Sequence, residues 1–119
     1  MAGALFGATG VGLGAWGAHG LAAFIGHADT GPWDTAVLYQ LIHALGLLLV
    51  GVLQTNARTS LLAWSGYLMM VGVLLFSGSI YGLVLNGPRW LGPITPLGGV
   101  SMILAWTLLA LAAWRWPAR

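Results

Sequence analysis

From Thr35 to Ala57, from Thr59 to Pro88 and again from Trp90 to Trp114 the chain carries no Asp, Glu, Lys or Arg. Uncharged apolar runs of that length suit a bilayer, whose hydrocarbon core of about 30 Å is crossed by a helix of roughly 20 apolar residues. Strands are disfavoured, because the runs are too long and their polar residues recur at three and four positions rather than two. Composition agrees: charged residues are 5% and apolar residues 59% of the chain, with no Lys and no Glu, where a soluble domain carries about 25% charge. The 119 residues are too few for two domains, so the expectation is one all-α integral membrane domain over residues 1–119, a compact bundle of four transmembrane helices.

Polar or turn-rich breaks at 26–33, 55–59 and 86–95 place the spans at about 3–25, 33–54, 60–85 and 96–115. Gly31-Pro32-Trp33-Asp34 supplies N-cap, N1, N2 and N3 of the second span, with Pro32 preset for a first turn and the Asp34 carboxylate facing unpaired amides. Asn86-Gly87-Pro88 stops the third span, and Thr95-Pro96 restarts the fourth. With four spans both termini share a side with the 55–59 loop. That side holds Arg58, Arg115 and Arg119 against Arg89 alone on the other, which places both termini in the cytoplasm. Trp33 and Trp90 then mark the outer interface and Trp64, Trp114 and Trp116 the inner one, while Trp16 and Trp106 lie deeper as packing residues. The N-terminal stretch is apolar from Ala2 without a basic region and reads as a first span rather than a cleaved signal.

The net charge of +2 comes from scattered residues. There is no basic stripe and no stacking platform, so no nucleic-acid partner is expected. Cysteine is absent, which excludes disulfides, thiolate metal sites and cysteine nucleophiles. Asp29 and Asp34 are the only carboxylates and give hydrolytic chemistry little support; Asp34 reads as a helix-start acid, with Arg89 as the natural partner for an outer acid. Zinc needs three or four ligands, and His19, His27, His43 and Asp29 are spread too widely in depth. A haem held by His19 and His43 is opposed by geometry, since His19 falls opposite the glycine ridge of its helix. The expectation is therefore no cofactor, no metal and no catalytic residue, so that an enzyme is the weaker reading.

Gly3, Gly7, Gly10, Gly14 and Gly17 follow a 4-3-4-3 spacing that leaves one bare backbone ridge along the first span. Small residues let a neighbouring backbone approach where lipid supplies no hydrophobic drive, so the ridge is a helix-packing seam, within the chain or between chains. Matching lines run through Ala36, Tyr39, His43, Gly46 and Val50, through Tyr67, Met70, Leu74, Ser77 and Tyr81, and through Gly98, Ser101, Ala105, Leu108 and Ala112.

His43 lies near the middle of its span, and an imidazole at that depth must face protein, water or a guest. Sorted by depth, His19, Tyr39, Gln40, His43, Ser77, Ser79, Tyr81, Thr95 and Ser101 all fall in the outer half, whereas the inner half keeps Thr9, Ser65, Tyr67 and Thr107. The expectation is a dry cytoplasmic half and a polar pocket opening outward, floored near His43.

Four motifs then stand in order: Gly14-Ala15-Trp16-Gly17-Ala18-His19-Gly20, Tyr39-Gln40-Leu41-Ile42-His43-Ala44-Leu45, Phe76-Ser77-Gly78-Ser79-Ile80-Tyr81 and Ile94-Thr95-Pro96-Leu97-Gly98-Gly99. With these the chain resembles, over nearly its whole length, the uncharacterised YgdD-like family of small inner-membrane proteins, or domain of unknown function 423. The eukaryotic relatives of that family are called transmembrane protein 256. The resemblance implies a four-helix protein of the bacterial inner membrane and carries no assigned activity.

Two functional readings follow. In the first the polar cluster is structural, fixing the register of a small scaffold that forms a homo-oligomer or joins a larger membrane complex. In the second the outer half holds a site for a small molecule, a lipid or a transported proton around His43, with Tyr39 and Gln40 orienting the ring. The dry inner half favours the first.

Overall fold

The computed structural model describes residues 1–27 and 29–116, and among these the regular structure is entirely helical. Arg119, one of the charges used to orient the chain, lies outside the described residues. The helices are α1 (Ala2–His19), α2 (Leu21–Ile25), α3 (Gly31–Asn56), α4 (Ser60–Val84) and α5 (Ile94–Trp114), with a 3-10 turn at Arg89–Leu91.

Among the described residues three segments are long and apolar enough to cross a membrane: Gly31–Asn56, Ser60–Val84 and Arg89–Trp114. The first expected span differs. Its α1 is rich in Gly and Ala, which present little hydrocarbon, and it is not among the candidate spans. It also ends early, at Gly20, where the backbone turns under the Trp16 indole before the short α2. A Cβ on Gly20 would lie 2.8 Å from Trp16 Nε1, so the turn needs a bare residue.

The other boundaries have local causes. α3 starts one residue earlier than the motif suggested, with Thr30 as N-cap, and its hydroxyl donates to the Asp34 carboxylate at 3.2 Å. The Asp29 carboxylate accepts from the Gly31 amide, so both acids are engaged by the helix start and not by Arg89. Thr59 caps α4 by accepting from the Leu62 amide. At the far end of α4, Asn86 takes φ 63° and the Gly87 and Asn86 amides donate back to the Gly82 and Leu83 carbonyls, a Schellman closure.

The helices pack mainly as neighbours in sequence: α4 on α5 most extensively, then α3 on α4, and α1 on α3. The glycine ridge of α1 is used within the chain. Gly3 meets Leu48 and the Ala44 carbonyl, Gly10 meets Leu41, Gly14 meets Val37 and Gly17 meets Trp33, while Gly7 alone faces open space. The tightest crossing is Gly98 of α5 against Gly72 and Phe76 of α4, where a Cβ on Gly98 would lie 2.8 Å from the Gly72 carbonyl.

Two apolar clusters close the ends of the bundle. Leu21, Trp33 and Val37 gather at the α3 N-terminal end, and Val50, Leu62, Met69, Ala105, Leu109 and Ala112 at the other. Trp33, expected at the interface, is 1% exposed, because the bare Gly17 leaves room for its ring inside the α1–α3 contact. Trp64, Trp90 and Trp114 face outward as an interfacial belt requires. The seam expected on α4 is rotated: Ser77 is buried as expected, but Tyr67 and Leu74 are exposed, and the packed face reaches Ser77 through Ser65, Met69 and Gly72. The close approach at Gly72 sets that rotation.

Candidate functional site

A layer of hydrogen bonds, reaching into the two apolar clusters at Trp33 and at Ala105, stitches each helix to the next. It begins on α1. The carbonyls of Phe6 and Leu13 each serve an intrahelical amide four residues on, at Gly10 and Gly17, and those glycines leave the carbonyl oxygens uncovered on that side. α3 reaches them with two donors: Gln40 Nε2 to the Phe6 carbonyl at 3.0 Å and Trp33 Nε1 to the Leu13 carbonyl at 2.9 Å. The donors stand seven residues apart and so do the acceptors, so one antiparallel register satisfies both.

Gln40 extends this contact across the bundle. Its Nε2 also donates to Thr9 Oγ1 at 2.8 Å, Thr9 in turn donates to the Leu5 carbonyl, and the Tyr81 hydroxyl donates to Gln40 Oε1 at 2.6 Å. One buried amide thereby ties α1, α3 and α4. The Phe6 carbonyl accepts only, so it fixes which end of the amide faces α1.

His43 makes the corresponding link to α5. Trp106 Nε1 lies 2.9 Å from His43 Nε2, and His43 Nδ1 lies 2.7 Å from the Tyr39 carbonyl. An indole nitrogen only donates, so Nε2 is the acceptor and Nδ1 carries the proton toward Tyr39. Gly46, one turn on, gives room to the Trp106 ring and to Met69. With both ring nitrogens engaged, this arrangement leaves His43 no free lone pair for a metal or haem iron.

The serines complete the layer. Ser77 donates to the Ala36 carbonyl at 2.7 Å, Ser101 to the Leu68 carbonyl at 2.8 Å and Ser65 to the Ala105 carbonyl at 2.8 Å. Ser79 donates to the Phe76 carbonyl, which leaves its oxygen to accept from the Thr95 hydroxyl. Among the described residues no buried side-chain nitrogen or oxygen lacks a partner.

The nine residues expected around one outer pocket are thus distributed over separate helix contacts. Gln40 and Tyr81 share one bond, Ser79 and Thr95 another, while His43, Ser77 and Ser101 each join different partners. His19 is exposed and belongs to none of these pairs, and Tyr39 contributes its carbonyl and a ring face rather than its hydroxyl. Among the described residues no three His, Asp or Glu side chains come together as metal ligands. Two shallow grooves flank the layer. One, of about 280 Å³, runs over His43 between Tyr39, Phe76, Met102 and Trp106; the other, of about 180 Å³, runs over Gln40 between Phe6, Thr9, Ser77 and Tyr81.

Three participants lie outside the expected cluster: Trp106, expected as packing, Trp33, expected at the interface, and Thr9, expected in the inner half. The available signal was that all three can donate a hydrogen bond and that a glycine stands one turn after the carbonyl each α3 donor reaches.

Comparison with known proteins places this chain in a family. The model of a family described as "Protein of unknown function (DUF423)" matches residues 13–99. A UPF0382 membrane protein of Staphylococcus aureus is 43% identical over 113 residues, covering 95% of this chain and 92% of its own length. A UPF0382 membrane protein of Staphylococcus epidermidis is 42% identical over 110 residues, covering 92% and 89%. The UPF0382 membrane protein YwdK of Bacillus subtilis is 44% identical over 104 residues, covering 87% and 85%. No solved structure matches the chain. With three long apolar helices and relatives named as membrane proteins, this is a multi-pass membrane protein, and it belongs to the DUF423 family, the UPF0382 membrane proteins.

Proposed function

We propose that the chain is a structural or accessory component of the cell (inner) membrane, with four membrane-crossing helices and both termini on the cytoplasmic side. The observation that carries this reading is the completeness of the hydrogen-bonded layer: buried polar atoms among the described residues are satisfied by the chain itself, so the layer needs no guest. Its role is to fix register between helices, which in lipid is done by small residues and interhelical hydrogen bonds.

Association with further helices is the second half of the proposal. α1 packs chiefly on α3, and its Ala4, Ala8, Gly12 and Ala15 remain exposed at spacings of four and three. A second helix laid on that face would form a homo-oligomer or join the chain to a larger membrane complex. Native mass spectrometry from nanodiscs tests this: more than one copy, or a copurifying membrane subunit, is expected, and a bare monomer would sink the proposal.

A second reading has one feature in its favour, the groove of about 280 Å³ over His43. Its walls are aromatic and aliphatic, so it suits a lipid or another small apolar molecule better than a transported ion. Full function and assembly of a His43→Leu variant would remove the proton-coupled form of this reading.

A further inference from the structure

Where α3 passes into α4, two cavities adjoin and share Gly51, Gln54, Thr55 and Ala63. The upper one, about 440 Å³, is an apolar slot between α3 and α4 under the first turn of α1, with Leu48, Gly66 and Met70 in its walls. The lower one, about 580 Å³, opens between Arg58, Thr59 and Ser60 in the connecting loop. Along α3 the slot reaches from Gln54 back to Leu47, about 10 Å at 1.5 Å per residue, parallel to the helices.

We propose that this composite cavity binds one anionic phospholipid, with an acyl chain in the slot and the phosphate at Arg58. The two halves differ in chemistry as the two parts of such a lipid do. Arg58 is exposed, no ion pair engages it among the described residues, and both side-chain carboxylates, Asp29 and Asp34, lie at the opposite end of α3. No acidic side chain therefore competes for Arg58, and a guanidinium presents a planar fork suited to phosphate oxygens. Gln54 and Ser60, at the mouth, make no side-chain hydrogen bond among the described residues and stand ready for further headgroup oxygens. An inorganic anion would use the mouth and leave the slot empty; only a lipid uses both. Gly51 borders both cavities, and nothing lies within 4 Å of where its Cβ would stand.

Native mass spectrometry of the full-length protein, released from mixed phosphatidylglycerol and phosphatidylcholine of identical acyl chains, tests the site. One phosphatidylglycerol is expected to be retained several-fold over phosphatidylcholine. Arg58→Gln should abolish that preference, Arg58→Lys should keep part of it, and Arg89→Gln, the same charge change at the other end, should leave it intact. Gly51→Leu should fill the slot and lose the retained lipid, with helicity by circular dichroism unchanged. The proposal is overturned if Arg58→Gln and Arg89→Gln lower the preference alike, if Gly51→Leu retains the lipid, or if millimolar inorganic phosphate displaces it. It is equally overturned if a lipid-free dimer buries Arg58, because the occupant is then a second copy.

Discussion

The indole of Trp106 donates to Nε2 of His43 across 2.9 Å, with the two rings edge to face at 66°. This one contact decides the tautomer of the imidazole and joins α3 to α5 at mid-depth. Replacing Trp106 by Phe keeps most of the ring volume and removes the donor. A loss of about 1–2 kcal/mol in unfolding free energy is expected, because Nε2 is then left unpaired. Nitrogen NMR of labelled His43 should report a protonated Nδ1 and a bare Nε2, and the reverse tautomer would contradict the pairing.

Gly17 and Gly7 belong to the same ridge but should answer differently to alanine. A Cβ at Gly17 would stand 2.7 Å from the Trp33 ring, whereas at Gly7 nothing lies within 4 Å. Gly17→Ala is expected to cost about 1–3 kcal/mol through overpacking, and Gly7→Ala to be neutral or stabilising by up to about 1 kcal/mol from helix propensity. Thermal unfolding of the two variants in the same detergent separates them.

Neighbouring glycines on α5 offer a sharper contrast. A Cβ on Gly98 would press on the backbone of Phe76 and Gly72, which cannot rotate away, while on Gly99 it would meet only Phe76 Cδ1 at 3.9 Å. Gly98→Ala should drive α4 and α5 apart and cost about 3 kcal/mol or more, and Gly99→Ala should be close to silent. Crosslinking between cysteines placed on the two helices would record the separation.

Gln40 and Tyr81 meet through a 2.6 Å hydrogen bond between helices. A double-mutant cycle with Gln40→Leu and Tyr81→Phe should give a coupling of about 0.6–1.7 kcal/mol, the range for interhelical bonds in membranes. Gln40→Leu alone should cost more than Tyr81→Phe, since it also releases Phe6 and Thr9. Additive effects would mean that the bond adds nothing to stability.

The α4 terminus separates two adjacent residues. Asn86 already holds φ 63°, so Asn86→Gly should be neutral or slightly stabilising. Gly87→Ala would place a Cβ 2.6 Å from the Gly82 carbonyl and should lower the unfolding temperature by several degrees.

The solvent and the segmentation were legible in the residues alone. Uncharged runs between Asp34, Arg58, Arg89 and Arg115 can fold only as helices in lipid, and punctuation at Gly31-Pro32 and Asn86-Gly87 acts through local sterics and capping. The glycine ridge was legible for the same reason, since a bare backbone at helical spacing is a property of one helix. Helix rotation and pairing were not. His43, Gln40, Ser77 and Tyr81 share one half by their position along the spans, but position along a span does not decide that Gln40 turns to α1 and His43 to α5. Those choices depend on which bare residues let two backbones approach, as Gly72 does with Gly98 and Gly17 with Trp33. The exposed Tyr67 and the buried Trp33 follow from the same cause: in lipid every face of these helices is apolar enough, so fit between surfaces, and not hydrophobicity, decides what turns inward.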